Sequence, residues 1–459
     1  MKKIVLTLLA VALMALPAAA SVQNIKVSGD VDSTWLVRDQ FDLGAQGLVT
    51  NDKQFYQNML VTQTRLRVDS DLTDNVSATI GLINERVWGE DNEETYGNND
   101  VDLNLAYVTL REMLYSPLTV IVGRQQFVYG NAFVIASGGM SDSLSGGLRG
   151  VAGDMSKRNA ADAVRMVFDY SPLTIDVVAT KVASNNLLGV GSQDDDIDLF
   201  GMNANWELGD DSGTVLETYF WAKIDQSVKD DALGVKADTV YMPGLHLAAN
   251  VLDGLSVSAE VAYQFGNKNY GTAQSADRKA AGAQLMANYM VPLESTKSWS
   301  PVLTTAYTYV SGDSDPSDLT DDYEGWDPMF EDQSNGKIYN TLFAQTDCHV
   351  VKVRGSIVPL EDLTAGIEWN GLWLDKPLED TDADGLSSLS LLQPDGKSIT
   401  TAMDTDRGLG SELTFDLAYD YTEDVKIGAS YGLFFPGTAF TSANDRRASQ
   451  LMLNAIVNF

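Results

Sequence analysis

Glu412-Leu413-Thr414-Phe415-Asp416-Leu417-Ala418-Tyr419-Asp420-Tyr421 alternates small or polar residues with large apolar ones, without a break. Successive side chains of a β-strand point to opposite faces, so this stretch has one apolar and one wet face. The same alternation recurs upstream. Leu255, Val257, Ala259, Val261, Tyr263 and Phe265 interleave with Ser256, Ser258, Glu260, Ala262, Gln264 and Gly266. Leu60, Thr62, Thr64, Leu66 and Val68 interleave with Gln63, Arg65, Arg67 and Asp69.

About eighteen such segments are legible. They start near Ile25, Gln57, Val76, Asp102, Leu118, Ala161, Leu173, Asp196, Thr214, Ala237, Leu255, Ala280, Pro301, Asp347, Leu363, Leu409, Val425 and Ala448. Most are ~9–13 residues, enough to cross a bilayer at a tilt. Short turns (Ser171-Pro172, Leu252–Gly254, Thr422–Asp424) alternate with long polar loops (38–56, 88–101, 127–160, 312–338, 376–406). Short, long, short, long is the connectivity of a closed antiparallel transmembrane β-barrel, with tight periplasmic turns and long extracellular loops. Trp35, Tyr170, Trp206, Trp221, Tyr309, Trp373, Tyr421 and Phe435 fall near strand ends, as interfacial aromatic girdles require. The fold expected is all-β.

Composition narrows the function. The chain has 459 residues, 31 Lys+Arg and 64 Asp+Glu, for a formal charge of −33. Such an acidic protein does not bind nucleic acid, because nothing offsets phosphate repulsion. Cys348 is the single cysteine, and His246 and His349 are the only histidines. A disulfide scaffold and a His/Cys zinc cluster are therefore excluded. Lys2 and Lys3, the apolar run Ile4–Leu16 and Ala18-Ala19-Ala20 read as a signal peptide over 1–20. The barrel domain is then 21–459, exported to the outer membrane of a Gram-negative type of bacterium, where it meets lipid and lipopolysaccharide. Phe459 ends an alternating strand, the signature through which the barrel-insertion machinery is expected to recognise it.

Between 86 and 165 the chain carries an ordered motif series. It comprises Arg86-Val87-Trp88-Gly89, Leu105-Ala106-Tyr107, Gly123-Arg124-Gln125, Tyr129-Gly130, then Arg158, Asp162 and Arg165. Ser311-Gly312-Asp313 follows later, leading an Asp-rich loop with Trp326-Asp327-Pro328-Met329-Phe330. This set resembles the alginate-export family of outer-membrane barrels. The resemblance implies eighteen strands and a passive, base-lined channel for an anionic polysaccharide, with no enzymatic activity.

The candidate channel-lining residues are Arg65, Arg67, Glu85, Arg124, Arg165, Lys352, Arg354, Glu412 and Asp416. Arg124 belongs to the family-like motif, yet its parity follows Leu118, Val120 and Val122 and points to the membrane interface. The faces assigned to the lumen also carry Asp169, Asp176, Glu207, Glu260, Glu368 and Asp420, so acids outnumber bases. A polyanion would meet like charge along part of this wall. The solute is thus a hydrophilic molecule or polysaccharide, with a cation-preferring general porin or a plugged surface-binding barrel as alternatives. Phe133-Val134-Ile135-Ala136, apolar within Gly-rich loop 127–160, fits either an inward fold that narrows the pore or a surface cap. No cofactor is required. Asp380, Asp382, Asp384 and Gly385 have calcium-loop spacing, but Leu391 stands where the bidentate acid belongs, so Ca2+ in the extracellular loops is the metal expectation. Gly428-Ala429-Ser430-Tyr431-Gly432 matches a nucleophile elbow, but within an alternating strand rather than at the strand-to-helix turn that chemistry needs.

Overall fold

In the computed structural model, the chain forms one closed sheet of eighteen antiparallel strands. The structure describes residues 23–45, 55–89, 101–115, 117–140, 148, 151–183, 196–227, 235–270, 274–292, 299–315, 318, 321–333, 335–378, 387–392 and 398–459. The wall strands are β1 (Asn24–Asp39), β2 (Tyr56–Thr73), β3 (Val76–Val87), β4 (Asp102–Leu110), β5 (Leu118–Gln125), β6 (Ala161–Asp169), β7 (Leu173–Ala183), β8 (Ile197–Glu207) and β9 (Val215–Asp225). They continue with β10 (Asp238–Leu252), β11 (Leu255–Asn269), β12 (Ser275–Met290), β13 (Val302–Val310), β14 (Cys348–Leu360) and β15 (Leu363–Leu374). A small hairpin, β16 (Ser387–Leu392) with β17 (Ser398–Met403), stands outside the wall. β18 (Gly408–Asp420), β19 (Val425–Pro436) and β20 (Ala448–Asn458) complete the wall.

Each wall strand pairs with its sequence neighbour, and β15 pairs directly with β18. β1 joins β20 to close the ring, with Trp35 opposite Leu453. Phe459 and Gly29 exchange backbone hydrogen bonds of 2.8 and 2.9 Å at this seam. Closure removes the unpaired strand edges that a bilayer would not tolerate. Among the described residues no helix is long and apolar enough to cross a membrane.

Side-chain parity follows the alternation. Phe415, Leu417 and Tyr419 are exposed on the outer face of β18, while Glu412 and Thr414 are buried on its inner face. Seventeen strand starts fall within a residue or two of expectation; β12 starts at Ser275 rather than Ala280. Its first turns carry Asp277 and Lys279 outward, above the hydrocarbon, where an outer face need not be apolar, so they read as loop. Trp221 also departs from expectation: it shares β9 parity with Glu217 and Tyr219 and is fully buried inside the barrel. Asp380, Asp382 and Asp384 lie outside the described residues.

Candidate functional site

An eighteen-stranded barrel is too wide for wall side chains to fill. Here the described parts of two long connections, 126–160 and 311–347, fold into it and pair with each other. The Ala136 N–H donates to the Phe330 carbonyl at 2.8 Å, Phe330 N–H to Val134 at 3.1 Å, and Asp332 N–H to Ala132 at 3.1 Å. Phe133 stacks on Trp326 at 5.6 Å between ring centroids, and both are buried. The apolar run Phe133–Ala136 is therefore an inward fold rather than a surface cap.

The paired loops seat against β6–β13. The Tyr129 ring lies 5.0 Å from that of Trp221, and its hydroxyl donates to Asp176 at 2.9 Å. Arg165 pairs with the same Asp176. Glu260 accepts the Asn131 N–H at 2.7 Å and the Tyr219 hydroxyl at 2.8 Å. Gly130 has φ +55°, and a Cβ there would meet the Glu260 carboxylate at 2.4 Å, so the tip demands glycine. Lys223 holds Asp327 at 2.9 Å. Burial alone would raise the Asp327 pKa, but Lys223 and Arg278 outweigh it and hold the carboxyl below its usual range. This half of the lumen is filled.

Across the lumen the loops are held at two further glutamates. Glu412 accepts the backbone N–H groups of Lys337 (2.6 Å), Ile338 (3.1 Å) and Tyr339 (2.8 Å), where the short helix α1 (Tyr339–Leu342) begins. Glu85 accepts the Gln63 amide, the Ser156 hydroxyl and the Lys157 N–H at 2.7–2.8 Å. Both carboxylates are buried beneath the loops. Neither lines an open channel, which corrects that expectation. A buried carboxylate needs donors, and the loop backbones supply them.

Space remains along β14–β20 and β1–β2. A cavity of about 500 Å³ lies between β1, β2 and β20 and the loop segments Asp154–Lys157 and Glu331–Thr341. A second, of about 550 Å³, lies toward the short-turn end against β14, β15 and β18–β20. Gly336, Lys337, Met452 and Asn454 border both, so the two cavities adjoin there. Arg354 grips Asp416 through two bonds of 2.6 and 2.8 Å and lies 3.8 Å from Glu368. Lys352 stands 3.6 Å from Glu368. Arg65 pairs with Asp30 at 2.7 Å, and Arg67 with Asp69 at 2.8 Å. Arg38, on the inner face of β1, pairs with Asp154.

Parity thus brings Arg65, Arg67, Arg165, Lys352, Arg354 and Asp416 to the inner face. Arg124 is not among them: it pairs at 3.1 Å with the exposed Asp162, on the outward face shared with Val164. Sequence reasoning missed Arg38, Lys157, Lys337, Glu331 and Asp332. The signal for Arg38 was present in its β1 parity with Thr34 and Leu36. The other four lie on loops, where no period exists. Lys337 is exposed and makes no ion pair among the described residues. Ser430 lies within β19, inside a regular strand.

The chain matches the alginate-export family over residues 30–454, and it belongs to that family. No curated protein matches it. Similar solved structures include the Pseudomonas aeruginosa porin OpdK with vanillate (10% identity, 95% of this chain and 99% of that one, TM-score 0.57). OccK2 of the same organism in complex with glucuronate is 13% identical, over 95% and 99%, with a TM-score of 0.53. Acinetobacter baumannii OccAB2 is 11% identical, over 96% and 99%, with a TM-score of 0.53. At such identities the likeness is one of fold, that of outer-membrane porins. The chain is an outer-membrane β-barrel channel protein for hydrophilic solutes.

Proposed function

We propose that this chain passively conducts an anionic, carboxylate-bearing sugar or oligosaccharide across the outer membrane. The observation that carries this reading is the cavity toward the short-turn end, lined by Lys337, Lys352, Arg354 and Lys426 with Glu368 and Asp416, where Asp420, paired with Lys426 at 3.2 Å, is the third acid and the cations still exceed the carboxylates. A wall with excess cations concentrates anions and passes them if each contact is weak. Pairing of Lys352, Arg354 and Lys426 with neighbouring acids keeps those contacts weak. The family's description as alginate exporters fits, as do the carboxylates named with two of the similar porins. Burial of Glu85, Glu260 and Glu412 weakens the acidic reading of the wall, because these groups are committed to loop backbone. Wall charge and loop constriction do the selecting.

The same proposal includes a leader over 1–20 and insertion read from the terminal strand ending at Phe459. The test is reconstitution in a planar bilayer, with reversal potentials in a salt gradient and added polyuronate. Anion preference with polyuronate block supports the reading. Cation preference without block sinks it and leaves a general cation-preferring porin; silence leaves a plugged barrel.

A further inference from the structure

We infer that Glu331 and Asp332 form a proton-responsive acid pair that sets the charge selectivity of the constriction. This rests on the channel reading above and adds a selectivity element to it. Both residues line the cavity of about 500 Å³ on the long-loop side of Lys337. Their backbone is fixed, because Phe330 and Asp332 are the residues that pair with the other inward loop. The Asp332 carboxylate packs on Gly138, where a Cβ would lie 2.0 Å from its Oδ2. Glu331 accepts the Gln333 N–H at 2.7 Å. Neither acid makes an ion pair among the described residues, unlike the wall carboxylates around them.

The charges facing the pair come from every side of the cavity. β1 presents Arg38 and Asp32, the other inward loop presents Asp154 and Lys157, and their own loop presents Lys337. β2 and β20 contribute only neutral polar groups, Gln63, Gln450 and Asn454, beside Met452. On the buried side stand Tyr339 and Cys348, both neutral. With Glu331 and Asp332 ionised, four carboxylates oppose three cations. With Glu331 protonated, three carboxylates oppose three cations, and protonation of Asp332 as well leaves two against three. Arg38–Asp154 and Lys157–Asp32 are paired, so the balance falls on Lys337 against these two acids.

Burial supplies the proton response. It pushes the Glu331 carboxyl up to about 7, with Asp332 adding to the rise, and it raises Asp332 as well. A carboxyl with a raised pKa is neutral below that pKa and charged above it. Acidification through neutrality therefore removes negative charge from the cavity beside Lys337, and anions gain.

The test is the reversal potential of the full-length barrel in a KCl gradient, at about pH 5 and about pH 8.5, which bracket the carboxyl titration. The expected chloride-to-potassium permeability ratio is about threefold or more higher at the acid pH, from the loss of negative charge in a confined pore. The double variant Glu331→Gln, Asp332→Asn is expected to hold the acid-like ratio at both pH values. A conducting wild-type pore whose ratio ignores pH overturns this inference and leaves the channel reading intact. Full pH dependence retained in the double variant overturns it too. No conductance at either pH overturns both readings.

Discussion

The two halves of the lumen are built from the same alternating strands and end up opposite in character. Along β6–β13 the inner face presents Trp221, Tyr219 and Met242, and the loops bring Phe133, Trp326 and Tyr129 onto them. Along β14–β20 and β1–β2 the inner face presents Lys352, Arg354, Asp416, Asn454 and Arg65 beside the two cavities, and the loops pack on it only toward the long-loop end, as Phe343 does on Phe434 at 5.6 Å. Large aromatics bury well over 100 Å² each, so the aromatic wall captures the loops. The charged wall holds the loops only where a buried carboxylate such as Glu412 gains their backbone N–H groups in place of water. The two cavities therefore lie where the wall is charged, and position in the ring rather than strand count decides where space remains.

Substitutions can break this contrast. Trp326→Ala removes a buried ring stacked on Phe133 and resting over Gly282. It is expected to cost about 3–5 kcal/mol, typical of a large-to-small core change. Urea unfolding in detergent micelles checks the cost, and bilayer recording is expected to show a larger conductance as the filled half loosens. Unchanged conductance would mean that the seal does not depend on this core.

Glu412→Ala acts on the open side. It leaves three buried or half-buried N–H groups at 337–339 without an acceptor, an expected loss of about 1–3 kcal/mol. Because this carboxylate fixes the loop that carries Lys337, single-channel records are expected to turn noisy. Glu260→Ala, its counterpart in the filled half, is expected to lower stability comparably while current noise stays at the wild-type level. Equal noise in both variants would erase the distinction between a packed seal and a pinned constriction.

Lys337→Met keeps the aliphatic stem and removes the cation that borders both cavities. The chloride-to-potassium permeability ratio is expected to fall about twofold, and less at high salt where the charge is screened. Reversal potentials at two ionic strengths measure this. The smallest effect belongs to Arg124→Ala. This residue pairs with Asp162 on the outer face, so selectivity is expected to stay unchanged and stability to move by about 0.5 kcal/mol or less. A selectivity shift in that variant would place the Gly123-Arg124-Gln125 motif back in the conduction path.

Much of this was legible before any coordinates. A period of two is a local property, so Glu412, Arg354 and Arg65 could be assigned to the inner face from their neighbours alone. The limit appears at Glu412 and Glu85: parity placed them correctly inside, yet what they do inside depends on loops that arrive from far away in sequence. Ser275–Lys279 of β12 was missed for a related reason, since a strand that has left the hydrocarbon loses the hydropathy contrast that marks it. Trp221 was misread because an aromatic near a strand end suits a girdle and a core equally, and only its parity tells them apart.

The sequence by itself determined the closed antiparallel barrel, its eighteen crossings and the two faces of each strand. Each of those follows from alternation over about ten residues and from the lengths of the connections. Only the tertiary structure decided that the described parts of loops 126–160 and 311–347 meet in the lumen, that Glu85, Glu260 and Glu412 serve as their anchors, and that Lys337, Glu331 and Asp332 line one cavity. Those contacts join segments nearly two hundred residues apart, as between Phe330 and Ala136. No local period encodes such a meeting; it arises from burying aromatic surface and satisfying buried carboxylates inside a ring too wide to fill itself.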